Sequence, residues 1–191
     1  MSDKLNLPIL LGTNRKDRAS EHVAKWVHSK MLERGDIDSV FFDVCDFDLP
    51  LDDYGTALAG RFSEWRDAII EADGLVIVTP EYNHSFPGSL KSVLDILLKQ
   101  YIHKAVALCG VSAGVFGGTR VIESLLPVMR ELGLAVTFTD LHFPRVGAKF
   151  DEEGNLLDAA YDGRVNDFLN ELVWMARVLR WGRTNLPSKH H

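Results

Sequence analysis

The sequence predicts a doubly wound α/β sandwich, a five-stranded parallel sheet with helices on both faces. Two observations predict it: strand-length apolar runs alternate strictly with stretches of helical spacing, and the central runs are apolar almost throughout. Each intervening helix carries the chain back to begin a parallel strand, which puts helices on both sheet faces. Strands buried on both faces need not alternate apolar with polar, as in Leu75-Val76-Ile77-Val78.

Taken in order, the first strand spans residues 7–11, with Pro8 at its start because proline has no N–H to give a ladder. Val23, Trp26, Val27 and Met31 then recur with a period of about 3.6, the mark of an amphipathic helix. A second strand at 39–44 is followed by Phe62, Trp65 and Ile69 at helical spacing. The third strand, 75–79, leads to a helix over 89–101 with Leu90, Val93, Leu94 and Leu97 inward. After a fourth strand at 105–111 comes a helix with Val121, Ile122, Leu125 and Met129, which Pro127 is expected to bend. The fifth strand is placed at 135–139 and a loop at 144–158. The last helix runs from about 157 to 179 with Tyr161, Val165, Phe168, Leu172 and Ala176 inward. Residues 1–186 are expected to form one domain, and 187–191 a disordered tail whose His190 and His191 resemble remnants of a tag.

Composition narrows the function. A chain of 191 residues that is 46% apolar and 25% charged suits one ordinary core. No apolar run approaches the ~18 residues of a membrane span, and Met1-Ser2-Asp3-Lys4 is not the start of a secretory signal, so a cytoplasmic protein is expected. A net charge of −6 gives no support to nucleic acid or an anionic membrane as partner. Cys45 and Cys109 form no ligand-spaced pair, and both are expected to be buried thiols; no metal site is expected.

Ligands of open α/β sheets bind beyond the carboxyl ends of the strands, so three loops matter most. The first, residues 12–20, offers hydroxyls from Thr13 and Ser20, guanidinium donors from Arg15 and Arg18, and the free N–H groups of a helix start, a complete set of phosphate donors. A plain solvated turn with Ser20 as helix cap is the alternative. The second loop, Thr79-Pro80-Glu81-Tyr82-Asn83-His84-Ser85-Phe86-Pro87-Gly88, is stiffened by prolines and suits a flat heterocycle. The third, residues 110–118, carries four glycines that let backbone approach a ligand edge. Its Gly110-Val111-Ser112-Ala113-Gly114 also spells G-x-S-x-G, the nucleophile elbow of serine hydrolases, with Asp140 and His142 as the only downstream acid and histidine in tandem. Gly114, Gly117 and Gly118 delay the helix that such an elbow requires.

Together, Gly12-Thr13-x-Arg15 with Ser20, the run Pro80-Glu81-Tyr82-Asn83-His84-Ser85-x-Pro87-Gly88-x-Leu90-Lys91 with Asp95, and Ser112-x-Gly114-x-x-Gly117-Gly118 resemble the NADPH-dependent FMN reductase family over residues 7–138. The resemblance implies a flavodoxin-like fold of strand order 2-1-3-4-5, non-covalent FMN, NADPH or NADH as electron donor, and a homodimer, or dimer of dimers, with flavins near the subunit interface. It implies that Thr13, Arg15 and Ser20, with Arg18 as a further donor, hold the phosphate. Pro80, Glu81, Tyr82 and Asn83 would hold the isoalloxazine, and Ser112 with Gly114 its pyrimidine edge. Glu21 and His22 stand where the family often places an asparagine, so the Glu21 carboxylate must point away from a phosphate. The implied activity is hydride transfer through FMN to a small planar acceptor such as a quinone, an azo compound or free flavin. No side chain is assigned as a catalytic acid or base. A flavodoxin-like electron carrier is the non-enzymatic alternative. Phe86, Leu97, Leu98 and Tyr101 beside the second loop are either an apolar interface or core.

Overall fold

The computed structural model describes residues 4–50, 53 and 55–190. Its strands are β1 (Leu5–Asn6), β2 (Ile9–Leu11), β3 (Ile37–Asp38), β4 (Phe41–Asp43), β5 (Gly74–Pro80), β6 (Lys104–Val111), β7 (Leu134–Val136) and β8 (Leu141–Phe143). The helices are α1 (Ser20–Leu32), α2 (Ser63–Glu71), α3 (Gly88–Asp95), α4 (Thr119–Glu131) and α5 (Ala160–Asn185). The main sheet has the order β4-β2-β5-β6-β7, and β8 also pairs with β6. Every pairing is parallel. Counting split strands once, this is the expected order 2-1-3-4-5.

Three strands are each broken in two, and the β1 and β3 segments lie outside the expected bounds 7–11 and 39–44. Pro8 does not begin a strand but lies between β1 and β2, where its carbonyl accepts from Val76 N at 2.9 Å while its own nitrogen has nothing to donate. Its neighbours keep the run in line, Leu7 N and Ile9 N bonding Asp38 O and Val40 O at 2.9 and 3.0 Å. The same joint divides β3 from β4. The fifth strand pairs with the start of β6 through β7 and leaves the sheet after Thr137, exposing Phe138 at 92%. It rejoins beside Cys109–Val111 as β8, so the strand expected at 135–139 gives way to two.

The core is two-sided because strand side chains alternate. Ile9, Leu11, Val76, Val78, Ala105, Ala107 and Cys109 meet α1 and α5 on one face. Leu10, Leu75, Ile77, Val106 and Leu108 meet α2, α3 and α4 on the other. Small Ala105, Ala107 and Cys109 leave room for Phe168 and Leu172 of α5. α4 continues through the exposed Pro127. α3 ends at Asp95, short of the expected 101, and a 3-10 turn at Lys99–Tyr101 takes Tyr101 inward beside Trp65, ring centroids 6.5 Å apart. Leu97 and Tyr101 are therefore core and Phe86 packs on it, leaving Leu98 as the exposed member of that group. Cys109 is buried as expected, but Cys45 is exposed in a 3-10 turn that follows β4. Residues 187–190 follow α5, with His190 N bonded to Ser188 Oγ; His191 lies outside the described residues. No helix among the described residues is long and apolar enough to cross a membrane.

Candidate functional site

The three loops meet beyond the carboxyl ends of β2, β5 and β6. In the first, Thr13 is buried and its Oγ1 takes the Arg15 N–H at 3.3 Å and lies 3.1 Å from the Tyr82 hydroxyl, tying the first loop to the second. Arg15 is exposed, its guanidinium 5.7 Å from the centre of the Tyr82 ring. Ser20 is the first helical residue of α1 rather than its cap; Ala19 holds the cap position and no side chain bonds there. Ser20 is 2% exposed, and its buried hydroxyl has no hydrogen-bond partner among the described residues. A buried hydroxyl left unpaired is costly, so this one points to a polar group at the α1 N-terminus, where N–H groups and dipole favour an anion. At Gly12 an added Cβ would meet the Leu90 side chain at 3.0 Å, so the loop lies close on α3.

Arg18 does something else. Its guanidinium donates to both Asp43 oxygens and to the Thr13 carbonyl, and its Nη1 lies 2.7 Å from Cys45 Sγ. Burial lowers its pKa, but the Asp43 bonds outweigh this and raise it overall. Arg18 therefore clamps the first loop to the end of β4, and its head is not turned toward an open site. Glu21 points along α1 to Lys25 Nζ at 2.6 Å, with Arg18 Nε at 3.5 Å. The Lys25 bond chiefly holds its carboxyl below the usual range, against the effect of burial, which meets the requirement that it face away from a phosphate. For Cys45, burial and then Asp43 raise the thiol pKa against the opposing Arg18, so it is not an activated thiolate.

The second loop folds as a miniature hairpin. Tyr82 and Ser85 exchange backbone bonds of 2.9 and 3.0 Å across Asn83 and His84, both at positive φ, 50° and 67°. Two such residues make the turn that matches strand twist, and asparagine tolerates it best. Asn83 is exposed at the tip. Glu81 anchors the other side: its carboxylate is 5% exposed and receives Arg120 Nε at 2.6 Å, while Arg120 Nη1 lies 2.8 Å from His84 Nε2. Arg120 also lies over the Phe116 ring at 4.7 Å, and Ser124 Oγ donates to the His84 carbonyl at 3.1 Å. The start of α4 thus holds the hairpin. Glu81 donates its N–H to the Val111 carbonyl at 2.8 Å and turns its charge to Arg120, which the sequence alone does not mark because nothing local identifies an arginine on α4 as a partner of a carboxylate 39 residues away.

In the third loop only one glycine opens space. A Cβ on Gly110 would meet Gly118 O at 2.7 Å, one on Gly118 would meet Val111 N at 2.5 Å, and one on Gly117 would meet His142 and Pro144. These three let the loop fold back on β6. Gly114 would meet nothing within 4 Å. The Ala113 and Gly114 N–H groups donate to no backbone carbonyl among the described residues. Ser112 Oγ donates to Gly114 O at 3.0 Å, and His142 Nδ1 lies 3.3 Å from Gly117 O instead of bonding the serine. Because α4 starts only at Thr119, the G-x-S-x-G run is no nucleophile elbow. Asp140 is kept protonated to higher pH by burial, with His142 opposing and Glu123 adding. Among the described residues no cluster of acids, histidines and cysteines is arranged to hold a metal.

The family model of NADPH-dependent FMN reductases matches residues 5–145. A 2-hydroxy-1,4-benzoquinone reductase from a Burkholderia species is 28% identical over 182 residues, covering 92% of this chain and 98% of the relative. The quinone reductase of Escherichia coli K12 is 35% identical over 131 residues, covering 63% of this chain and 66% of the relative. Among solved structures, the flavoenzyme NAD(P)H:(acceptor) oxidoreductase FerB from Paracoccus denitrificans superposes with a TM-score of 0.74 at 21% identity, covering 90% of this chain and 97% of that one. That likeness bears on the fold alone.

Proposed function

Because the chain belongs to the NADPH-dependent FMN reductase family, we propose that Thr13, Arg15, Ser20 and the N-terminus of α1 hold the FMN phosphate. The Pro80–Asn83 backbone and the Tyr82 ring hold the isoalloxazine, and Ser112 and Gly114 its pyrimidine edge. The observation that carries this reading is the buried, unpartnered Ser20 hydroxyl at a helix start. When bound, FMN supplies the hydride-accepting and hydride-donating chemistry. NADPH or NADH is the donor, and a small planar acceptor follows it: a quinone, as for the Burkholderia and E. coli relatives, an azo compound, or free flavin.

The chain's own residues bind and orient. Arg18 and Arg120 act as positioning residues, fixing the first loop on Asp43 and the hairpin on Glu81. The Ala113 and Gly114 N–H groups, which donate to no backbone carbonyl among the described residues, suit the ring edge where a reduced flavin accumulates negative charge.

Residues 1–186 are proposed to act as one flavin-binding unit, paired with a second copy beside the flavin. A cytoplasmic location is in keeping with two unpaired cysteines. Steady-state NADPH oxidation by the purified, FMN-loaded protein with a benzoquinone as acceptor tests the reading. Turnover without an added reductase supports it; flavin binding without turnover would make the protein an electron carrier.

A further inference from the structure

Helix α5 is apolar on two sides. Its inner face, including Val165, Phe168, Leu172 and Ala176, is buried on the sheet. Its outer face exposes Trp174 at 60%, Val178 at 46% and Trp181 at 60%, at the i, i+4 and i+7 spacing of one helical stripe. Exposed single apolar residues are ordinary, but two tryptophans in line on a surface helix mark a docking surface.

Residues at equal distances on either side of Trp174 differ in character and are complementary in charge at Glu171 and Arg177. In an antiparallel pair of these helices with its two-fold axis at Trp174, that residue meets its own copy. Glu171 then faces Arg177, Asn170 faces Val178, and Asp167 faces Trp181, each pair occurring twice. Acid meets base, and a carboxylate stands opposite an indole whose N–H can donate to it. The only ion pair of Arg177 among the described residues is a long one, 3.6 Å to Asp36, and Glu171 and Asp167 have none. We infer that the outer face of α5 is a self-complementary interface that seats a second copy of this chain, with its axis at Trp174.

This contact is separate from the pairing beside the flavin. α5 begins at the loop edge of the sheet, where Tyr161 Oη donates to His142 O at 2.9 Å. It ends at the opposite edge, where Arg180 and Arg183 bind Asp73. Trp174 to Trp181 lies toward that far end, so pairing there leaves the three loops open. With both contacts present, the assembly is a dimer of dimers.

Sedimentation velocity of the FMN-loaded full chain and its variants tests the inference. Trp174→Glu is expected to halve the assembled mass. Glu171→Arg is expected to halve it too, by placing like charges together twice, and Glu171→Arg with Arg177→Glu is expected to restore it. Glu171→Arg changes only a partly exposed polar side chain, so the test stands even if Trp174→Glu fails to fold. Unchanged mass in both single variants, or a double variant that stays dissociated, would overturn the inference. So would flotation of the wild type with phosphatidylcholine vesicles that Trp174→Glu abolishes, since the occupant would then be lipid. Flavin absorbance read on the same samples reports separately on the proposed cofactor site, so a colourless protein counts against that reading and not against the helix pairing.

Discussion

Arg15 and Arg18 belong to one loop and have different tasks. Arg15 is exposed beside Tyr82, so Arg15→Ala is expected to weaken FMN binding by about ten- to a hundredfold, the worth of one charge-assisted bond of about 1.5–3 kcal/mol, with little change in melting temperature. Arg18 is buried on Asp43, so Arg18→Met leaves a carboxylate stranded and is expected to destabilise the fold by about 3–5 kcal/mol. Flavin fluorescence titration and urea unfolding on both variants separate the two. Both arginines were legible in the sequence as loop cations; which of them is left exposed was not, because the choice depends on Asp43 arriving from another strand. Lys104 shows how burial adds a pH response. Its ammonium caps the end of α2, donating to the Ile69 and Ile70 carbonyls, and burial with Arg183 nearby lowers its pKa to about 8 against the opposing pull of Asp73. The unfolded chain then holds more protons than the folded one between pH 8 and the ordinary 10.5, so stability rises with pH across that window. Lys104→Met is expected to remove this contribution. Urea midpoints at the two ends of the window measure it, and a wild type and variant with identical slopes would rule it out.

At the scale of elements, the third loop and α4 form a unit built on close backbone approach. Gly118 sits at φ 81° with space for no side chain. Gly118→Ala is expected to cost about 1–3 kcal/mol for the left-handed conformation and as much again for the clash with Val111, and to release the loop that carries Ser112. Gly114→Ala is the complementary case: its Cβ enters open space, so stability is expected to hold within about 0.5 kcal/mol while flavin affinity falls. Thermal melts paired with flavin titration check both, and a Gly118→Ala protein of wild-type stability would refute the packing account. The sequence marked all four glycines as a ligand loop. Only the fold shows that three of them serve backbone packing, because that need arises where strand, loop and helix converge.

At the scale of the whole molecule, Asp73 joins the ends of the chain. It accepts from Asn6 N at 3.0 Å and binds Arg180 and Arg183 of α5 while its side chain is 7% exposed. Asp73→Ala would take the carboxylate from two part-buried guanidinium groups, leaving Arg180 on the Lys4 carbonyl and Arg183 on the His103 carbonyl, and is expected to cost about 3–5 kcal/mol, read as a lower urea midpoint; a loss below about 1 kcal/mol would mean that α5 is held by its apolar face alone. Periodicity is a local property, and it is why the sequence by itself determined the α/β alternation, the inward residues of α5 and the three strand-end loops now proposed to hold the cofactor. The stretch Pro80–Lys91 likewise identified the family from residues adjacent in the chain. The tertiary structure decided what distance along the chain conceals: the splitting of three strands, Arg18 on Asp43, Arg120 on Glu81, and Tyr101 turned into the core. Each of these depends on a neighbour that folding brings in from elsewhere in the chain, which no local pattern signals.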